Sequence, residues 1–204
     1  MAGQHDGHLG AVYGAKDRAQ VAAAYDAWAE TYEAEMRAAG YRHPSVGLAL
    51  VSRHLPRGAG PVLDAGAGTG LLGEWLGILG YAQVEALDLS AGMLAVAERK
   101  GVYSRLTQAA LGSPLPFADA AFAAVVSTGV FTTGHVGTEA LPELFRITRK
   151  GGVIVLTVKL TVWEGGIEGW LTANGIQRIE TTAPYVSMPG EAATTPSLAV
   201  VLGV

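Results

Sequence analysis

The stretch Val62-Leu63-Asp64-Ala65-Gly66-Ala67-Gly68-Thr69-Gly70 decides the fold. It begins as an apolar strand that ends in an acid, and it turns through three alternate glycines into a segment with helical spacing. Glycines at such a turn permit positive φ angles and let a ligand approach the backbone, where a Cβ would collide. The stretch therefore predicts a nucleotide-like ligand, and a tight strand-to-helix turn without a ligand is the alternative.

Short apolar segments alternate with helical patterns along the rest of the chain. This alternation predicts an α/β three-layer sandwich, with a seven-stranded, mostly parallel sheet, an antiparallel last strand and helices on both faces. The predicted strands cover residues 62–63, 83–87, 105–109, 122–126, 153–158, 176–180 and 198–202. The predicted helices in this part cover residues 71–79, 91–100, 138–149 and 167–174.

The first 60 residues precede this alternation. Residues 1–15 carry no sustained pattern, so we expect a flexible tail. Residues 17–39 have apolar side chains spaced by three or four, which predicts one helix or two short ones, and another helix is expected from Ser45 to His54. We expect a single domain over residues 16–204, in which 16–56 form an N-terminal helical lid and 61–204 form the core. The apolar residues of the first pattern are Val21, Tyr25, Trp28, Tyr32 and Met36.

Composition excludes several classes of function. The 204 residues carry a net charge of -4 with no run of basic residues, which argues against a nucleic-acid partner. The chain has no cysteine, so disulfides, thiolate metal sites and cysteine nucleophiles are excluded, and no metal site is predicted. No signal-like or membrane-spanning apolar stretch is present, so we expect no membrane partner and a cytoplasmic location.

A second acid refines the ligand. Asp88 ends the next predicted strand, 24 residues after Asp64, where its carboxylate can accept hydrogen bonds from both hydroxyls of a ribose. The alternative is that Asp88, like Ser90, caps the following helix. The dinucleotide pattern G-x-G-x-x-G fails, because its third glycine would fall on Leu71.

These motifs together resemble a known family. The G-x-G-x-G turn with its preceding acid resembles the first motif of class I, Rossmann-like S-adenosylmethionine-dependent methyltransferases. Further similarity, over about residues 25–204, is to the methyltransferase-like group of the Williams-Beuren syndrome region protein. It rests on YDAWAETYE at 25–33, LPFADAAFAAVV at 115–126, GVFTTGHV at 129–136, LFRITRKGG at 144–152 and TVKLTVWE at 157–164.

The resemblance implies S-adenosyl-L-methionine as cofactor and S-adenosyl-L-homocysteine as product. Asp64 and the glycine turn would hold the methionine end, and the aromatic residues of the lid would touch the cofactor. The family often has Asp near Ala110 and at Ala123, and Pro at Lys150, so backbone groups of Ala110 and Leu111 would have to recognise the adenine. The expected cofactor-binding residues are Tyr25, Trp28, Tyr32, Asp64, Ala65, Gly66, Gly68, Gly70, Asp88, Leu89, Met93, Ala110, Leu111 and Ser127.

The expected reaction is in-line displacement, in which the methyl group is transferred to the acceptor. The acidic balance of the chain argues against tRNA or DNA as acceptor, so a small molecule is expected. His135 is the candidate general base, and an exposed loop histidine is the alternative. His5, His8, His43 and His54 are expected at the surface. Segments that carry Lys159, Trp163, Glu164 and Tyr185 should overhang the acceptor.

Three other functions stay open: a non-catalytic cofactor-binding domain, an NAD-linked oxidoreductase, and a non-methylating enzyme on the same fold. The identity of the acceptor and the oligomeric state are not predicted from the sequence.

Overall fold

The computed structural model describes residues 7–191 and 194–204. Its centre is a seven-stranded sheet in the order β3-β2-β1-β4-β5-β7-β6. Neighbouring strands are parallel except at β7, which runs antiparallel to both β5 and β6. This confirms the α/β class, the seven strands and the antiparallel last strand. The strands are β1 (Val62–Ala65), β2 (Val84–Asp88), β3 (Arg105–Gln108), β4 (Phe122–Phe131), β5 (Thr148–Lys159), β6 (Arg178–Thr181) and β7 (Ser197–Gly203).

The helices follow the predicted order, and their ends have local causes. Ser90 caps one of them, because its hydroxyl accepts a hydrogen bond of 3.0 Å from the backbone N–H of Met93. Gly175, at φ 65°, follows the last helix, as expected of a glycine in that place. The α-helices are α1 (Gly7–Gly14), α2 (Arg18–Trp28), α3 (Tyr32–Ala38), α4 (His43–His54), α5 (Leu71–Ile78), α6 (Ala91–Arg99), α7 (Leu141–Ile147), α8 (Leu160–Val162) and α9 (Glu168–Ala173).

Two shorter helical segments complete these connections. A 3-10 turn, Thr138–Ala140, leads into α7, and a π-helical segment, Trp163–Ile167, joins α8 to α9.

Alternate side chains of the strands pack against two separate helical layers. Val62 and Val126 point to one face and contact a cluster that includes residues of α4 and α5. Leu63 and Val125 point to the other face and contact a cluster that includes α7 and α9. This period of two is what a sheet buried on both sides requires, and it makes the sandwich three layers thick.

The predicted lid needs correction at its carboxyl-terminal part. Within residues 16–56, α4 is a layer of the sandwich, since its Leu50 and Val51 are buried against the sheet. The helix also begins at His43, two residues before the predicted Ser45, with Pro44 in its first turn. Helices α2 and α3, by contrast, lie at the edge of the sheet above the carboxyl ends of the strands.

The predicted flexible tail also needs correction. Residues 7–14 form α1, whose Val12 is only 2% exposed and joins the cluster around Trp28 and Met36. Four glycines among residues 1–15 interrupt any helical pattern, so the sequence does not predict this helix. Burial against α2 stabilises it. Residues 1–6, which include His5, lie outside the described part of the chain. Within that part, no helix is long and apolar enough to cross a membrane.

Candidate functional site

A cavity of about 300 Å³ lies where β1, β2 and β4 end, beneath α2 and the residues that follow α3. The chain runs from β1 outward to β2 and β3 and then returns to β4 on the other side of β1. Ligands of open α/β sheets bind at such a switch point, outside the carboxyl ends of the strands. The volume is at the lower end of the range for small-molecule sites.

The three glycines of the first turn have different tasks. Gly66 and Gly68 line the cavity, whereas Gly70 lies behind them and starts α5. All three have positive φ angles, of 83°, 54° and 85°. A Cβ on Gly66 would lie 2.2 Å from Cγ2 of Val130, but a Cβ on Gly68 would meet no protein atom within 4 Å. Gly68 therefore leaves open space toward the cavity.

Asp88, the expected partner of the ribose, lies in the wall of the cavity. Its Oδ2 accepts a hydrogen bond of 2.7 Å from the backbone N–H of Gly68, and its Oδ1 accepts one of 2.9 Å from Ser90. Burial raises its pKa, and these backbone donors lower it in part. Because each carboxylate oxygen can accept two hydrogen bonds, the carboxylate keeps the capacity to accept a hydrogen bond from a ligand.

Asp64 does not line the cavity. Its side chain is buried under the glycine turn, where Oδ2 accepts a hydrogen bond of 2.7 Å from the hydroxyl of Tyr103. Burial raises the pKa of Asp64 to about 7. Ala65 and Ser127, also predicted to bind the cofactor, do not line the cavity either. The hydroxyl of Ser127 donates a hydrogen bond of 2.6 Å to the carbonyl of Ala65. These three residues support the turn from beneath.

Residues after β2 and β3 line the opposite end of the cavity. Leu89, Met93, Ala110 and Leu111, which are expected to bind the cofactor, all line that end. Arg18 of α2 was not predicted; its guanidinium donates to the carbonyl of Gly112 and to the hydroxyl of Ser113 and so ties the lid to the loop after β3.

The aromatic residues of the lid divide between this cavity and the hydrophobic core. Tyr25 and Tyr32 line the cavity. Trp28 does not: it is 1% exposed, and its indole N–H donates to Glu35 at 2.9 Å. Burial raises the pKa of Tyr32 to about 12, so this phenol stays protonated at neutral pH.

Tyr41 is a lining residue that sequence reasoning missed. It follows Gly40 outside any helical pattern, so periodicity gave no signal for it. A Cβ on Gly129 would lie 1.9 Å from its hydroxyl oxygen, so the glycine makes room for the ring. Gly129 lies in β4 at φ 77°, inside a register shift against β5, and such irregularities often stand next to sites.

His135, the predicted general base, lies at the boundary between two spaces. It lines the main cavity and also an open groove of about 400 Å³, which we call the outer groove, formed by residues 132–139 and by 161–167. Its Nδ1 lies 2.9 Å from the hydroxyl of Thr132, and its buried Nε2 has no hydrogen-bond partner among the described residues. Burial lowers the pKa of the ring, so the neutral form predominates at neutral pH.

Of the histidines expected at the surface, His43 is buried, at 3% exposure. Its Nδ1 lies 2.7 Å from the hydroxyl of Tyr185, and burial, together with the charge of Lys159, lowers its pKa to about 3. Its place is fixed by the β4 edge and by Tyr41, neither of which is apparent in the local sequence. His8, against Trp28, and His54, paired with Glu180, are partly covered.

The residues expected above the acceptor are found in different surroundings. Lys159 is buried near the end of β5, Trp163 belongs to the core, and Glu164 is exposed. Among the residues that the structure describes, no group of three or more histidine or acidic side chains could hold a metal ion.

Comparisons with known proteins agree with this geometry. The model of the methyltransferase domain family matches residues 63–156. Methyltransferase-like protein 27 of Homo sapiens is 36% identical over 155 residues, which cover 73% of this chain and 62% of that protein. The malonyl-[acyl-carrier protein] O-methyltransferase of Pectobacterium atrosepticum is 35% identical over 61% of this chain and 49% of its own length. The chain thus spans about half to three fifths of these curated relatives.

Solved structures support the fold. A TehB-like SAM-dependent methyltransferase from Corynebacterium glutamicum superposes with a TM-score of 0.68 at 22% identity, over 89% of this chain and 98% of that one.

Proposed function

The chain belongs to the class I S-adenosylmethionine-dependent methyltransferases, and from this premise we propose that it transfers a methyl group to a small-molecule acceptor by in-line displacement. The cofactor of this family, S-adenosyl-L-methionine, supplies an activated methyl group on a sulfonium, so the protein's part is to align the acceptor and to exclude water. The observation that carries the proposal is the open space in front of Gly68, beside the carboxylate of Asp88, in a cavity that meets the outer groove at His135.

The residues of the main cavity fit this cofactor. Asp88 would accept hydrogen bonds from the ribose hydroxyls, and the turn at Gly66 and Gly68 would lie against the methionine end. Met93 and Leu111 would cover the adenine, with backbone groups of Ala110 and Leu111 in place of the family's acid. Asp64, Ala65, Gly70 and Ser127 would act indirectly, by holding the turn.

The lid would exclude water from the methyl group. Tyr25 of α2 and Tyr32 of α3 cover the cavity from above, and Asp26 of α2 accepts hydrogen bonds from the hydroxyl of Ser90 and the N–H of Gly92. These bonds fasten α2 to the start of α6, next to Asp88. Closure over the cofactor would thus be coupled to the loop that binds the ribose.

His135 would remove the proton of a hydroxyl or ammonium acceptor. Its neutral ring lines both spaces and is held by Thr132 through Nδ1, and its buried Nε2 has no hydrogen-bond partner among the described residues. The outer groove would admit the acceptor toward this nitrogen. We expect His135→Gln to lower kcat about 10²- to 10⁴-fold with little change in affinity for S-adenosylhomocysteine. His54→Gln, which alters a histidine paired with Glu180 away from the cavity, is the matched control.

Two measurements test the proposed function. Isothermal titration with S-adenosylhomocysteine tests the cofactor site, and transfer of label from methyl-labelled S-adenosylmethionine to a panel of small hydroxyl, amine, thiol and carboxylate compounds tests the reaction. Binding without transfer to any member would favour the non-catalytic binding domain or different chemistry on this fold. Absence of binding, with binding of NAD instead, would overturn the proposal. A cytoplasmic location and the absence of nucleic-acid and membrane partners remain part of this proposal.

A further inference from the structure

A second, much smaller cavity lies behind the wall of the main cavity. Its volume is about 30 Å³, and it is separated from the cofactor space by Tyr25, Tyr32, Tyr41 and Gly129, which line both. We call it the inner cavity. Its room suffices for one small group, such as a water molecule or a carboxylate.

Two buried residues of the inner cavity have polar side chains without a hydrogen-bond partner among the residues that the structure describes. Lys159 is 4% exposed, and its side chain makes neither an ion pair nor a hydrogen bond with the described residues. Its nearest compensation is the ring of Tyr13, whose centroid lies 5.9 Å from Nζ. Ser187 is fully buried, and its Oγ has no hydrogen-bond partner within the described ranges. Both side chains line the inner cavity.

The described part of the chain places no negative charge in the wall of the inner cavity around the ammonium of Lys159. None of the described residues that line the inner cavity is acidic, and His43 beside it is neutral, with a pKa of about 3. Burial lowers the pKa of Lys159. A buried ammonium without an anion is strongly unfavourable, so a lysine that has no acidic partner among the described residues points to an anion supplied by a ligand.

We propose that Lys159 and Ser187 bind a carboxylate of the methyl acceptor and thereby fix its orientation; this rests on the proposed function. The acceptor is then an organic acid whose charged end occupies the inner cavity. Its apolar body lies between the tyrosines, and the atom that receives the methyl group is a different one.

The order of the strands favours the acceptor over the cofactor as the source of this carboxylate. The cofactor space extends from β3 to β4, whereas Lys159 ends β5, one strand further along the edge. Lys159 does not line the main cavity. The rings of Tyr25, Tyr32 and Tyr41 line both cavities, and they suit an apolar body that extends from the inner cavity toward the cofactor space.

Binding of benzoate to the protein saturated with S-adenosylhomocysteine tests the proposal, with benzamide as the neutral molecule of the same shape. We expect isothermal titration to detect benzoate and to give a dissociation constant about tenfold to a hundredfold higher for Lys159→Gln, while benzamide does not discriminate. Lys150→Gln, an exposed lysine at the opposite end of β5, is the matched control and should bind as the wild type does.

Each outcome decides the matter. Equal binding of benzoate to the wild type and Lys159→Gln, or no binding to the wild type, overturns the proposal and leaves a buried water as the occupant. Weaker binding of S-adenosylhomocysteine to Lys159→Gln assigns the lysine to the cofactor and also overturns it. If Lys159→Gln does not fold, Ser187→Ala carries the test, with severalfold weaker binding of benzoate expected. If the wild type does not bind S-adenosylhomocysteine at all, the proposed function itself is contradicted.

Discussion

The hydroxyl of Tyr103 donates a hydrogen bond of 2.7 Å to Oδ2 of Asp64, beneath the glycine turn. The ring fits there because Gly73 lacks a side chain: a Cβ at that position would lie 2.2 Å from the phenol. We expect Tyr103→Phe to lower the free energy of unfolding by about 1–3 kcal/mol, because a buried carboxyl group loses its donor. Urea unfolding measures this change. An unaltered midpoint and slope would mean that the hydrogen bond does not support the turn.

The raised pKa of Asp64 makes its contribution to stability depend on pH. Its pKa is about 7 in the folded chain against an ordinary value of 3.8, so between pH 4 and 7 the folded state keeps a proton that the unfolded state has lost. Stability therefore falls as the pH rises through this window, by about 1.4 kcal/mol per unit at most. Asp64→Asn removes this dependence. Urea unfolding at pH 4.5, 5.5 and 6.5 gives the free energy of unfolding of each protein. The value for the wild type minus that for Asp64→Asn should decrease as the pH rises. A difference that is the same at all three pH values would contradict the prediction.

His43 has the opposite effect. Its pKa falls from 6.5 to about 3, so between these values the unfolded state binds a proton that the folded state excludes, and stability rises with pH. The contributions of His43 and Asp64 offset each other in the wild type between about pH 4 and 6.5. Of these two contributions only that of Asp64 remains in His43→Gln, and stability should decrease more steeply with pH than in the wild type. The same urea series measures the slope, and an unchanged slope would show that His43 titrates normally.

Local sequence patterns were sufficient to predict the strands, the glycine turn and the position of Asp88 at the end of β2. Those features depend on residues close together in the chain, namely an apolar strand, a turn and a following helix. The same alternation also explains the position of Asp64: it shares a face of β1 with Val62, so its side chain points into the helical layer and not toward the ligand. The alternation along β1 therefore indicates that Asp64 points into the helical layer, whereas the resemblance to the family implied that it holds the methionine end of the cofactor.

Residues positioned by contacts between distant segments could not be predicted. Tyr41 reaches the cavity because Gly129, 88 positions later, leaves room for its hydroxyl. His43 is buried by the same neighbourhood, and Val12 is buried because α1 packs on α2. None of these residues lies in a periodic pattern that points to its neighbour.

Asp88 should contribute most of the affinity for the ribose. We expect Asp88→Asn to raise the dissociation constant for S-adenosylhomocysteine about a hundredfold, because hydrogen bonds to a charged acceptor are stronger than those to a neutral amide. Asp119→Asn, at an exposed residue paired with Arg146, is the control and should leave the affinity unchanged. Isothermal titration gives both values. Equal affinities for the two variants would place the ribose elsewhere.

At Gly68, the addition of a single methyl group should weaken ligand binding without preventing the protein from folding. A Cβ there meets no protein atom within 4 Å, so Gly68→Ala adds no clash, although φ 54° makes alanine strained by about 1 kcal/mol. The methyl group would occupy the space reserved for the ligand, so affinity for S-adenosylhomocysteine should fall at least about tenfold while the fold persists. Gly77→Ala, within α5 and facing open space, should instead stabilise the chain by about 0.5–1 kcal/mol and leave the affinity intact. Thermal unfolding and titration of the two variants test this contrast, and full affinity in Gly68→Ala would show that the ligand does not approach the turn.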